Sequence, residues 1–545
     1  MNATKTKKAI SKTRLLLAAM VAMALLLPAT AHGAAPGITG PTFNLTAQPA
    51  YISQPDGSMI YSWGYGCRVA PSGFAPAAIS GATCPTMQVP GPTLIVTEGQ
   101  TVTVNLANGL PTSAGNTSIL FPGFSLTSTT GGVPGVLTQE AAPGGTVTYS
   151  FVAGTPGTRA YYSGTQGDLQ VEMGLYGAII VLPAAVPANC STGLAASNLA
   201  AEAHWGEHDF RLSHAAYDHA KSCYDREYLF QFSEMDPDIH YQAQAQVAAR
   251  AGCVAGAAGC SLNVATEPYH PAYFLINGRS MPDDMDPNYA FEYPHQPYNG
   301  NPHMHPGEQV LLRVIGQGRW QHPFHEHGNH VRILGRDGNL ILSQADPANN
   351  LAGPLMFTTT TTPGLAFDGI FYWTAKGLNW DAYGHNPASG DASAKLSCTP
   401  DANGYNTSAT AAINYFEWCQ DHNKPMELAP FGDVPGGGPT TLPDPNLFTN
   451  GPWYGGSPYL GPDATLRATG CSAGTNAGPL AVNCGATGST PPSGTIANSP
   501  SGEAGFAFMW HSHNEREITT NNIFPGGMLM MMLVDSREFV IDESN

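Results

Sequence analysis

Past Leu27 the 545-residue chain has no apolar run long enough to cross a bilayer, which excludes a spanning helix in the body of the protein. Charge is scarce as well. Asp, Glu, Lys and Arg make up 11% of the residues, and 22 basic side chains face 40 acidic ones, for a formal net charge of −18. So acidic a chain is a poor partner for nucleic acid or an anionic membrane surface. None of its ten cysteines lies beside the histidine clusters described below, so those clusters have no thiolate neighbour in the sequence. Glycine and proline are plentiful, at 62 and 46 residues, and they divide the chain into short strands joined by turns. That composition indicates an all-β protein built of sandwich domains.

The N-terminus has a separate character. Lys5, Lys7, Lys8, Lys12 and Arg14 precede an apolar stretch from Leu15 to Leu27 and the small-residue site Ala29-Thr30-Ala31, the pattern of a secretory signal peptide over residues 1–34. Removing its five basic residues takes the formal charge to −23. An exported chain, periplasmic or extracellular, is expected to use its cysteines in disulfides. Sequence proximity suggests Cys67 with Cys84, Cys190 with Cys223, Cys253 with Cys260, Cys398 with Cys419 and Cys471 with Cys484, and leaves the connectivity open.

Two histidine clusters carry the chemistry: His322-Pro-Phe-His325-Glu-His327-Gly-Asn-His330 and Trp510-His511-Ser-His513. Successive side chains of a strand alternate faces, so each His-x-His pair points both imidazoles one way. Two such strands side by side would offer four nitrogens to one volume. His325, His327, His511 and His513 are therefore the candidate ligands of a divalent ion, copper favoured over zinc by affinity order, with iron or zinc as alternatives. Glu326 falls on the opposite face and reads as structural. Glu515 shares the parity of His511 and His513 and could join them or hydrogen-bond to them.

The surrounding residues resemble the multicopper oxidase (laccase-like, cupredoxin) superfamily. His322 to Gly328 with Ile333-Leu-Gly-Arg-Asp-Gly338 is similar to one of its histidine signatures, and Trp510 to His513 with Pro525-Gly-Gly-Met528 to its closing segment. Pro90-Gly-Pro-Thr-Leu94 with Glu98-Gly99, and Gly174-Leu-Tyr-Gly177 with Ile179-Ile-Val181, resemble the opening and close of its first domain. The resemblance implies cupredoxin-like Greek-key sandwiches and copper. In the family, eight histidines in four His-x-His pairs hold three coppers, but the first-domain pairs align here with Leu120, Pro122, Tyr162 and Gly164. A blue copper needs a thiolate, two imidazoles and a weak thioether. Ser512 stands at the cysteine position, Glu517 at one imidazole and Met528 is displaced, leaving His322 as the single remaining donor. The resemblance thus implies a reduced copper centre of one or two ions, with no blue copper and no ordinary laccase turnover.

Two domains are expected, at 36–188 and 203–545, the second interrupted by a disulfide-pinned insertion of about 376–500. Expected strands of the second domain are Glu227 to Phe232, Tyr273 to Asn277, Val310 to Val314, Val331 to Leu334, Gly369 to Trp373, Phe506 to Trp510 and Met528 to Val534. The methionines from Met528 to Met532 read as buried core. His204, His208, His214 and His219 read as a polar connection, although His204 and His208 would share a face were the segment helical. His303 and His305 are left between the metal site and solvent. The function expected is a copper-binding oxidoreductase fed by an electron-donor protein or a small-molecule reductant. Alternatives are a non-catalytic copper-binding or sequestering protein and a metal-free structural cupredoxin that binds a partner. A homo-oligomer is left open.

Overall fold

The computed structural model describes residues 34–378, 397–412, 414–422, 456–460, 504–535, 537 and 540–542. The signal segment, most of the expected insertion and the Cys471/Cys484 pair lie outside these residues. Within them the protein is all-β, with two 13-residue helices, Gly193–Trp205 and Pro237–Ala249.

The sheets come in two face-to-face pairs. Two five-stranded sheets of residues 37–182 enclose one core, in which Val102, Val104 and Leu106 alternate inward along Thr101–Asn108 against Val147, Tyr149 and Phe151. This is the period-2 pattern of a half-buried antiparallel pair. The second pair joins a seven-stranded sheet, centred on Arg226–Met235, Gln309–Gly316 and Ala366–Tyr372, to a six-stranded one. The six-stranded sheet runs His303–Met304, Leu529–Asp535, Ala504–Ser512, His322–Glu326 and Thr358–Thr361, and Gly456–Leu460 pairs with Ala504–Ser512. Phe230, Val314, Phe324, Phe508, Trp510, Met528, Met530 and Met532 meet in the core between them, so three of the four methionines pack as the sequence suggests, while Met531 is half-buried on the other face.

All seven strands expected in residues 203–545 form, each within a few residues of its predicted span. The stretch between the two expected domains enters the helix Gly193–Trp205, because alanines at its centre favour helix and Gly206 stops it with φ +93°. His208 therefore lies beyond the helix and shares no helical face with His204. Cys67–Cys84, Cys190–Cys223, Cys253–Cys260 and Cys398–Cys419 are disulfides.

The two sheet pairs meet through buried polar contacts. Thr158 donates from N and Oγ1 to Asp368 at 3.1 and 2.6 Å, and Tyr217 donates to the same carboxylate at 2.6 Å. Arg313, fully buried, donates to Glu227 at 2.7 Å and to Thr158 Oγ1 at 3.2 Å. At Gly278, φ +84°, a Cβ would sit 2.2 Å from the Val89 carbonyl oxygen, so this approach admits no side chain. Replacing Arg313 by Met strands Glu227 and Asp368 inside the protein and should cost about 3–5 kcal/mol in urea unfolding. A loss under about 1 kcal/mol would show that the network is not a buried ion pair in solution.

Candidate metal centre

Strand register assembles the site. His322–Glu326 runs antiparallel to Ala504–Ser512, with Phe324 opposite Ser512 and His325 opposite His511. Directly opposed residues share a face, so Phe324 and Ser512 turn into the sandwich while His325 and His511 turn out of it. His513 extends the outer row, its N–H bonded to the Pro323 carbonyl at 2.8 Å.

The outer face gathers the four expected ligands. The ring centroids of His325 lie 4.8 Å from those of His327 and His513 and 5.5 Å from that of His511. His325, His327 and His511 can each offer a ligand atom within 4.8 Å of the others, and the Nε2 atoms of His327 and His511 are 3.3 Å apart. The far nitrogens are engaged. His511 Nδ1 donates to the Ser512 carbonyl at 2.7 Å, which leaves Nε2 with its lone pair toward the cluster. His325 Nδ1 is 2.6 Å from Thr358 Oγ1, and the Phe357 carbonyl accepts a hydrogen bond from the same imidazole. Burial, then repulsion from the other three rings, pushes His325 down to about 4, and burial also lowers His511. Both rings are neutral at pH 7, the form that binds metal. His513 stands at the rim with its side chain 54% exposed, beside an open surface carrying the half-exposed Phe357. Glu515, 84% exposed and 4.0 Å from His513, does not reach into the cluster.

His322 is not gathered with the others. It points inward with the parity of Phe324, its Nε2 bonded to Glu234 at 3.0 Å and its Nδ1 to Glu517 at 2.9 Å. Both nitrogens are spent on carboxylates. Burial works against the charged ring, but hydrogen bonds to Glu234 and Glu517 outweigh it and push His322 up to about 9. Ser512 donates its hydroxyl to the same Glu517. The inner position thus holds an imidazolium between two carboxylates, and its oxygen-rich donor set does not fit a blue copper. On the outer face, three convergent imidazoles with a fourth at the rim fit a single borderline ion such as copper.

His303 and His305 face neither the cluster nor solvent. Both are buried, on Asp535 at 2.6 Å and Glu207 at 2.6 Å respectively. Glu326 is fully buried and accepts from Thr359 at 3.1 Å, in keeping with a structural role. Cys398, Glu417 and His422 also converge, but the Cys398 sulfur is in a disulfide. Glu234, 88 residues from His322, carries no local sequence signal; the sheet contacts reveal it. Thr358 was visible only as part of a threonine run.

A family model described as multicopper oxidase matches residues 82–185. Multicopper oxidase MCE of Talaromyces pinophilus is 37% identical over 98 residues, 18% of this chain and 15% of that protein. Copper resistance protein A of Escherichia coli is 38% identical over 93 residues, 17% and 14% of the two chains. The multicopper oxidase match rests on residues 82–185 of this chain. The chain's match spans about 15% of the length of these curated relatives. Among solved structures, multicopper oxidase mgLAC aligns over 91% of this chain and 86% of its own at 15% identity and a TM-score of 0.41. A copper nitrite reductase from Nitrosomonas europaea aligns over 61% and 84% at 19% identity and a TM-score of 0.35. The segment that matches the family model contains Leu120, Tyr162 and Gly164. These line a cavity of about 340 Å³ with Gln317, Gly318 and Gly364, and no histidine lines it among the described residues.

The inner charge site should make stability fall at high pH. A folded pKa near 9 against an ordinary 6.5 means that His322 contributes fully below pH 6.5 and that the contribution is lost as pH rises through 9. Glu172, pushed up to about 8 by burial, acts in the same direction. Urea unfolding should show a loss of a few kcal/mol between pH 7 and 10, about 3 of them from His322 by its shift. His322→Gln should start less stable and flatten the slope; an unchanged slope would mean that His322 is neutral in the folded protein.

Proposed function

We propose that the chain is an exported, disulfide-bonded protein that binds one copper on its outer histidine face and serves as a copper-binding oxidoreductase with no blue centre. His325, His327 and His511 would hold the ion, with His513 at the open side. Copper there supplies one-electron redox chemistry and an exchangeable position for a small ligand. The protein's own part would be to fix the tautomer of His511 through the Ser512 carbonyl, hold the His325 ring against Thr358, keep both rings neutral and leave the rim accessible. The observation that carries the reading is the convergence of these imidazoles, with the Nδ1 atoms of His325 and His511 held by Thr358 and by the Ser512 carbonyl. Electrons would come from a small-molecule reductant or a donor protein reaching the exposed rim, because the inner position is an ion network rather than a copper.

A second reading is copper holding without turnover. It is favoured by the same inner network, which provides no internal redox centre, and by the name copper resistance protein A borne by two of the matched relatives.

Metal analysis with electron paramagnetic resonance separates the cases. The mature protein should carry about one copper with a non-blue, nitrogen-rich signal. His511→Ala/His513→Ala should lose it while keeping its urea midpoint. Thr358→Ala should weaken copper about 10–100-fold by freeing His325. No copper after loading, or full copper in the double variant, would remove the site. One copper with no turnover of any reductant would leave holding as the function.

A further inference from the structure

A cavity of about 730 Å³ lies between the start of the helix Gly193–Trp205 and the seven-stranded sheet, whereas the histidines belong to the six-stranded sheet. Its chemistry is two-sided. Leu194, Leu334, Leu351 and Ile370 form an apolar wall. Lys221 and Arg332, from separate segments, also line it and carry two of the few positive charges in an acidic chain.

These cations differ from three of the five buried arginines among the described residues. Arg226, Arg313 and Arg537 each sit against glutamates. Lys221 donates to the Asn350 side-chain oxygen at 2.7 Å and Arg332 to the Gly353 carbonyl at 2.6 Å, and neither forms an ion pair with a described residue. Neutral oxygens therefore hold both side chains in place and leave their charge unbalanced. The helix start at the same cavity has no side-chain cap on Thr192 and no acidic residue in its first turn, which adds to the positive end. Asp225, the one acid lining the cavity, already has its Oδ2 occupied by Asn198 at 3.0 Å and the Gln309 N–H at 2.8 Å.

We infer that this cavity binds an anionic amphiphile, a molecule with a carboxylate or sulfonate head and an apolar body. The head meets Lys221 and Arg332, where charge-assisted hydrogen bonds are strongest, and the body covers the leucine and isoleucine wall. The volume falls in the range of about 300–1,000 Å³ usual for small-molecule sites. This site is independent of the copper reading.

The test uses the whole mature protein and 1-anilinonaphthalene-8-sulfonate as a fluorescent probe, with octanoate, octan-1-ol and inorganic phosphate as competitors. Probe should bind one per chain. Octanoate should displace it at least tenfold more effectively than either the neutral alcohol or phosphate. Lys221→Gln/Arg332→Gln should weaken probe and octanoate at least tenfold with an unchanged urea midpoint. Should the double variant unfold, Lys221→Gln alone, an exposed side chain, should still weaken octanoate at least threefold. Undiminished binding in the folded variants, equal competition by octan-1-ol, or equal competition by phosphate would each overturn the inference.

Discussion

The pairing of His325 with His511 across two antiparallel strands sets the chemistry of both faces of the six-stranded sheet. In this register the odd residues of His322–Glu326 and of Trp510–His513 turn outward, and the even ones turn into the sandwich. A slip of one residue on either strand would bury two imidazoles and expose Phe324 or Ser512. The core enforces the register, because Phe324, Phe508 and Trp510 fill the space between the sheets and have nowhere else to go. Packing thus decides which nitrogens meet, and the hydrogen bond that His511 Nδ1 donates to the Ser512 carbonyl, with the Thr358 contact at His325 Nδ1, then orients the two rings.

The inner face shows what replaces a lost metal donor. A serine hydroxyl and a glutamate carboxylate are hard, oxygen-based groups, and once placed beside His322 they favour a proton over a soft ion. Glu234 arrives from the neighbouring sheet to complete the arrangement, and its Oε1 is itself held by the N–H groups of Arg319 and Trp320 at 2.6 and 2.8 Å. The outcome is a charge network with a strong preference for a protonated imidazole. The two faces of one strand thus carry different chemistry: a neutral, lone-pair-rich cluster outside and an ionised, lone-pair-poor one within.

Much of this was legible in the sequence. Period-2 patterning and the His-x-His spacing were enough to place seven strands and to group His325, His327, His511 and His513, because both follow from local alternation. The four suggested disulfides that fall among the described residues all form, since proximity in sequence brings such cysteines together. The helix Gly193–Trp205 was missed because its run of small residues carries little amphipathic signal. The family resemblance makes His322 a remaining blue-copper donor, but its partners come from 88 and 195 residues away, and no local pattern announces them. The sequence leaves His303 and His305 open for the same reason, their carboxylates being remote in sequence: Asp535 on a distant strand and Glu207 just past the helix Gly193–Trp205.

The central claim, that metal binds outside the sandwich and a proton occupies the inner position, is most directly tested by a crystal structure of the copper-loaded protein with anomalous scattering at the copper edge. The account expects a single copper peak bounded by His325, His327 and His511, with His322 still bridging Glu234 and Glu517. A peak between His322, Ser512 and Glu517, or no peak on the outer face, would contradict it.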